Sequence, residues 1–375
     1  MFAWSRFAAV VVKEFVQVRR DRLTFAMMIG VPVLQLVLFG FAINMDPKGL
    51  PMAVVSAEAS PFSRSLVRSL EASGYFRVVA QPASEAEAEA LIAGGDVQFV
   101  LHVPPDFSRK LSRGERPAVL VEADATDPAA TGNAIAALQA LNLTALDRDL
   151  SGPLAGLRAG PPAFELRVHR RYNPEGITAH NIVPGLMGVV LTMTMVMMTA
   201  LAMTRERERG TMENLLATPV RPFEVMAGKI VPYILIGYVQ VVVILVAAKL
   251  LFRVPMVGSL PLLSAILVLF IAANLAVGFT FSTLARNQLQ AMQMTFFFFL
   301  PSMLLSGFMF PFRGMPGWAQ VIGEALPLTH FLRIVRGILL KANQWSDVAL
   351  EVAALAAFLV AAGAIALARY RETLD

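Results

Sequence analysis

Six apolar stretches, each long enough to cross a bilayer, limit what this chain can fold into. A spanning helix needs about 20 mostly apolar residues to cross roughly 30 Å of hydrocarbon. The stretches run from Leu23 to Ile43, Ile182 to Met203, Ile230 to Phe252, Leu260 to Leu284, Leu289 to Phe310 and Val348 to Ala368. A buried helix of a soluble protein is usually shorter and carries a polar stripe. Composition agrees: 56% of the 375 residues are hydrophobic and 16% are charged, where soluble domains have about 45–50% and about 25%. The same excess excludes a disordered chain. The absence of cysteine excludes a disulfide-stapled domain and a cysteine-ligated metal site. The first stretch holds Gly40-Phe41-Ala42, which has the form of a cleavage site. Its apolar run exceeds the usual length of a secretory core, so it reads as an uncleaved anchor.

Lys and Arg near the span ends set the orientation. Arg6, Lys13, Arg19, Arg20 and Arg22 precede the first span. Arg205, Arg207, Arg209, Arg221 and Lys229 lie between the second and third, Arg286 between the fourth and fifth, and Arg369 and Arg371 after the sixth. All fall on one side if both termini are cytoplasmic, and the rule favours that orientation. Arg253, Arg313, Arg333, Arg336 and Lys341 fall on the other side and weaken the rule.

The 130 or so residues between the first two spans are too many for a simple connection. Strand-like runs at 51–57, 75–80, 97–103, 118–123 and 164–172 alternate with helix-like runs at 63–73, 85–93, 105–113 and 131–150. Ser84 and Glu87 form a capping box. The alternation predicts an α/β layer built from βαβ units over residues 44–176, on the extracytoplasmic side. This region carries a net charge of −3, which leaves +8 for the rest of the chain. The basic balance thus follows topology, and nucleic-acid binding is not expected. No HExxH, GxSxG or paired-cysteine pattern is present. Asp127 ahead of Pro128 reads as a helix cap rather than a metal ligand.

Residues 1–22 place Phe7, Val11, Phe15 and Val18 at helical spacing, opposite basic residues. An amphipathic interfacial helix and a plain basic anchor fit this pattern equally. Residues 204–229, which begin TRERERGTMENLLATPV, hold a compact apolar edge suited to docking a soluble partner; a solvated loop is the alternative. Residues 311–347 include a strongly apolar run, Pro327 to Lys341, that is too short to span. It predicts a re-entrant or interfacial helix, with Arg333 and Arg336 on one face. They would meet lipid phosphates or, in preference, a carboxylate such as Glu324.

Three stretches carry a family resemblance: RYNPEGITAHNIVPGLMG from Arg171, RERERGTMENLLATPVRPFEVMAGKIVPY from Arg205, and LPLTHFLRIVRGILLK from Leu326. Together with the order of spans and the position of the insertion, they resemble ABC exporter permeases of the type-2 class, in the bacterial subgroup with a large extracytoplasmic insertion. The expected architecture is a polytopic α-helical membrane protein: six transmembrane helices, with an α/β domain between the first two. The resemblance implies that 1–22 is a connecting helix and that the loop after the second span is a coupling helix. Glu206, Arg209, Gly210, Thr211, Glu213, Leu216 and Pro219 would touch an ABC ATPase subunit. The first, second and fifth spans would line the pathway. The re-entrant segment, with Pro327, Thr329, Arg333 and Arg336, would help close its outer end.

No GxxxxGK[ST] phosphate loop is present. The chain is therefore read as a transport subunit and not an enzyme. It would bind no cofactor itself, with ATP and Mg used by the separate ATPase. A second permease copy or a homologous permease would complete the exporter, and the subgroup implies a periplasmic adaptor. Thr192, Met195 and Thr199 in the second span, and Gln293, Phe296 and Phe297 in the fifth, suit a lipophilic or amphipathic drug or lipid-like substrate. Lipid-facing Met and Phe, with Thr bonded back to its own helix, is the plainer reading of these residues. The spans hold hardly a charge, which argues against proton coupling and charged-ring ion selectivity. An alternative function is mechanotransmission, in which ATP use moves the outer domain without substrate crossing the membrane.

Overall fold

The computed structural model describes residues 47–208 and 222–369. The first expected span, the segment before it and residues 209–221 of the expected coupling loop lie outside the described residues.

The first unit is a five-stranded sheet with helices. In chain order it contains β1 (Leu50–Ser56), α1 (Pro61–Ala72), β2 (Phe76–Ala80), α2 (Glu85–Gly94), β3 (Phe99–Val103), α3 (Phe107–Ser112), β4 (Ala118–Asp124), α4 (Pro128–Leu141) and β5 (Glu165–Arg171). The strand order is β2-β1-β3-β4-β5. β1 runs parallel to β2 and β3, and β4 runs parallel to β5. β3 and β4 are antiparallel, with Leu101 opposite Val121, so this step is not a βαβ unit as expected. The reason lies in α3. Six residues of helix rise about 9 Å, too little to carry the chain back along a strand for a parallel return.

Caps delimit these helices. Ser84 accepts from Glu87 N at the start of α2, and Gly95 ends that helix at φ 84°. The expected helix at 131–150 is α4, which begins earlier, with Asp127 accepting from Ala129 N and Ala130 N. It ends at Leu141, and a 3₁₀ segment follows at Gly152–Ala159. Inside, Phe99, Phe107, Leu50, Met52, Leu101 and Leu111 are fully enclosed, and Phe76 meets Phe99 edge-on at 5.2 Å.

The second unit is helical: α5 (Thr178–Glu208), α6 (Pro222–Leu250), α7 (Leu260–Leu284), α8 (Gln288–Leu305), α9 (Gly317–Glu324), α10 (Pro327–Lys341) and α11 (Trp345–Arg369). Among the described residues, four stretches are long and apolar enough to cross a membrane: Thr178–Arg205, Tyr233–Leu250, Leu260–Leu284 and Trp345–Arg369. The expected fifth span, 289–310, does not run its full length. Gly307, at φ 84°, turns the chain just after α8 ends at Leu305. Eighteen residues rise about 27 Å, short of the hydrocarbon thickness, and Gln288, Gln290 and Gln293 lower their apolarity. The chain then turns through a 3₁₀ segment at Phe312–Gly314 into α9 and α10. α10 is a single 15-residue helix in which Leu328, Phe331, Ile334, Val335 and Ile338 are enclosed. Its Phe331 ring stacks on Phe270 of α7 at 4.0 Å and 10°.

Candidate functional site

α5 packs against α6, α7, α8 and α10. Its contact with α7 depends on a missing side chain: a Cβ at Gly278 would lie 2.5 Å from Val196 O and 2.9 Å from Thr199 Cβ. Such close backbone approach is how helices associate where lipid removes the hydrophobic drive.

The expected pathway residues fall on separate surfaces. Thr192, Met195 and Thr199 are enclosed within the bundle. Thr199 Oγ1 donates to Met195 O at 2.9 Å, a bond within its own helix. Thr192 Oγ1 has no partner. On α8, Phe296 and Phe297 are 39% and 44% exposed, whereas Gln293 Oε1 is buried without a partner. The two sets therefore do not share one lining in the single chain. Sequence reasoning missed Asn274 of α7, which is enclosed. Its Nδ2 donates to Phe270 O at 2.9 Å, and its Oδ1 is unpaired. A lone amide in an apolar run was the available signal. It also missed Gln240 of α6, whose Oε1 accepts from Thr194 at 3.0 Å.

A second cluster gathers where α9, α10 and α11 meet. Thr329 Oγ1 donates to Gly323 O at 2.6 Å, so the start of α10 caps the end of α9. Arg333 holds Glu324 through Nη2 at 2.5 Å and Nη1 at 3.0 Å, and reaches Glu351 at 3.1 Å. Arg336 parts company with it. Its Nη1 donates to Gly307 O at 3.2 Å, while Nε and Nη2 are buried and unpaired. Pro327 lies buried in the first turn.

Glu351 stands inside the expected sixth span and so is an exception to its lack of charge. His330 Nδ1 bonds to Glu351, and Nε2 bonds to Glu324 O at 2.8 Å. Both partners are acceptors, so both ring nitrogens carry hydrogen when these bonds form. Burial alone lowers the His330 pKa, but Glu351 and then the Glu324 carbonyl outweigh it, and the net direction is upward.

Of the expected coupling residues, Glu206 lies in the last turns of α5. Arg209, Gly210, Thr211, Glu213, Leu216 and Pro219 lie outside the described residues. Nearby, Glu208 accepts from Gln288 N at 2.8 Å and from its Nε2 at 2.5 Å. A carboxylate at the first turn of α8 satisfies a free N–H and opposes the positive end of the helix. The end of α5 is thereby tied to α8. Among the described residues no group of acids and histidines could hold a metal ion.

Relatives resemble the chain over most of its length. "Probable multidrug ABC transporter permease YbhS" of Escherichia coli (strain K12) is 27% identical over 346 residues, 92% of this chain and 90% of that protein. "Inner membrane transport permease YhhJ" of the same organism is 31% identical, covering 91% and 93%. "Linearmycin resistance permease protein LnrN" of Bacillus subtilis (strain 168) is 21% identical, covering 81% and 83%. The family described as ABC-2 family transporter protein matches residues 22–368. Nearly the whole chain is matched, four helices among the described residues are long and apolar enough to cross a membrane, and the chain belongs to the ABC-2 family of transporter proteins.

Proposed function

We propose that the chain is the permease subunit of an ATP-driven exporter in a bacterial inner membrane, with both termini cytoplasmic and the sheet domain outside. The observation that carries this reading is the family match over residues 22–368, joined to an apolar helical bundle with unpaired polar atoms at Thr192, Asn274 and Gln293. A lipophilic or amphipathic compound with a few hydrogen-bonding groups suits such an interior. The names of the relatives, one multidrug and one a resistance permease, support this substrate class. ATP would be hydrolysed by a separate ABC ATPase docked on residues 204–229. Its push would reach α8 through the Glu208–Gln288 contact as two permease copies, or two related permeases, rock against each other. α9 and α10 would close the outer end. A periplasmic adaptor would take the compound onward.

The test is co-purification with the ATPase, followed by ATP-dependent export. Glu213→Lys is expected to abolish export and leave membrane insertion intact. Full export by that variant removes the coupling assignment. No stimulation of ATP hydrolysis across lipids, drugs and peptides turns the reading toward mechanotransmission.

A further inference from the structure

The two units meet at a joint built mainly from side chains of one and backbone ends of the other. Helix α2 ends at Gly94, and its last carbonyls have no partner within the helix. Lys341 Nζ, at the end of α10, donates to Ile92 O at 3.2 Å. Asn343 Nδ2 donates to Ala93 O at 3.4 Å. Arg313 Nη2 donates to Gly95 O at 2.8 Å. Two cations and an amide from the helical unit thus cap the negative end of a helix in the sheet unit.

The same lysine makes an ion pair. Lys341 Nζ lies 2.6 Å from Asp124 Oδ2, and both side chains are only 9% exposed. The other oxygen of Asp124 is held by Thr126 N at 3.1 Å and Thr126 Oγ1 at 2.8 Å. Lys341 also sits 5.2 Å from the Tyr172 ring. A second contact lies beside the first: Asn181 Nδ2, from the first turn of α5, donates at 3.2 Å to Asp127, the cap of α4. A buried pair of this kind is hard to break, because removing one partner strands the other charge out of water.

We propose that this joint makes α10 and the sheet domain a single rigid body, with Lys341, Arg313 and Asn343 as the positioning residues that fasten α2. The proposal rests on the exporter reading in one respect: α10 must move during transport for the joint to carry that motion outward. The sheet domain would then swing with the outer closure of the bundle, without a hinge of its own at this contact.

The chain has no cysteine, so labels can be placed at will. Spin labels at Ala86→Cys on α2 and Ala325→Cys ahead of α10 report the joint in the full chain in lipid nanodiscs. A single narrow distance distribution is expected. Lys341→Met with Arg313→Gln is expected to widen it about twofold by freeing local excursions, and Lys341→Arg is expected to keep it narrow. An unchanged width in the double variant, with parental elution and melting, overturns the joint. If the double variant does not fold, Arg313→Gln alone serves: a broader distribution supports the joint and an unchanged one overturns it. This arm needs no ATPase, so its failure is distinct from a failure of the exporter reading. In the complex with the ATPase, trapping with ATP and vanadate is expected to leave the Ala86–Ala325 separation unchanged. A shift there shows that the two units move apart and overturns the proposal.

Discussion

The sheet domain and the helical bundle place their apolar residues in opposite ways. In the sheet domain large apolar side chains point inward, and Val79 and Leu143 are the exposed ones. In the bundle they face both ways. Leu235, Val239, Val242, Val243 and Val246 of α6, and Leu350 and Val360 of α11, are all more than half exposed. Water drives the first arrangement. Lipid tails remove that drive from the second, which relies on close packing, as at Gly278, and on bonds between helices, as from Thr194 to Gln240. Both interiors enclose some polar side chains: Thr192, Thr199, Asn274 and Gln290 in the bundle, and Ser63, Asp124, Thr126 and Thr131 in the sheet domain.

This contrast can be broken in graded steps. The largest effect is expected at Gly278→Val, whose side chain must enter the backbone of α5 at Val196. Loss of a monodisperse peak in detergent is the expected outcome, and a variant that elutes and melts like the parent refutes close approach as what holds α5 to α7. Next comes Phe99→Ala in the sheet core, expected to cost about 3–5 kcal/mol in denaturant unfolding of that domain. Third is α6. Val243→Asp is expected to cost ~2.5–3.5 kcal/mol of insertion, while Val243→Leu leaves it almost unchanged. Equal insertion of the Asp and Leu variants would show that this face does not meet lipid.

The smallest effect concerns His330. Its folded pKa is raised, so its contribution to stability is fully present below the unfolded value of about 6.5. It is lost as pH rises through the folded value. The melting temperature is expected to fall from pH 6.5 upward, and His330→Gln should flatten that slope. An unaltered slope in the variant assigns the pH dependence to other groups.

Much of the fold was legible because the forces that decide it are local. Apolarity over twenty residues is a one-dimensional property, so α7 begins and ends at Leu260 and Leu284, where the pattern places it. Caps are equally local, and Ser84 and Asp127 do what their neighbours imply. The pattern failed where a helix runs out of room. Nothing in the Phe-rich run after Gln293 announces that Gly307 will turn the chain, and the expected span is five residues too long as a result. The candidate site was less legible. Thr192, Met195 and Phe297 share a composition but not a surface, because composition does not say which face of a helix meets a neighbour.

The charges that count against the expected orientation are the clearest case. Arg313, Arg333 and Lys341 weaken the orientation rule when they are counted as free cations. In the folded chain Arg333 is bound to Glu324 and Glu351, Arg313 to the end of α2, and Lys341 to Asp124. The sequence by itself determined the membrane class, four of the spanning segments, the alternation in the sheet domain and the family. Only the tertiary structure decided the antiparallel step between β3 and β4, the separation of Arg336 from Arg333, and the pairing of Lys341 with Asp124. That last pair joins positions 217 residues apart. Hydropathy acts along the chain and can be read along it. An ion pair exists only where the fold brings two distant charges together and excludes water from both.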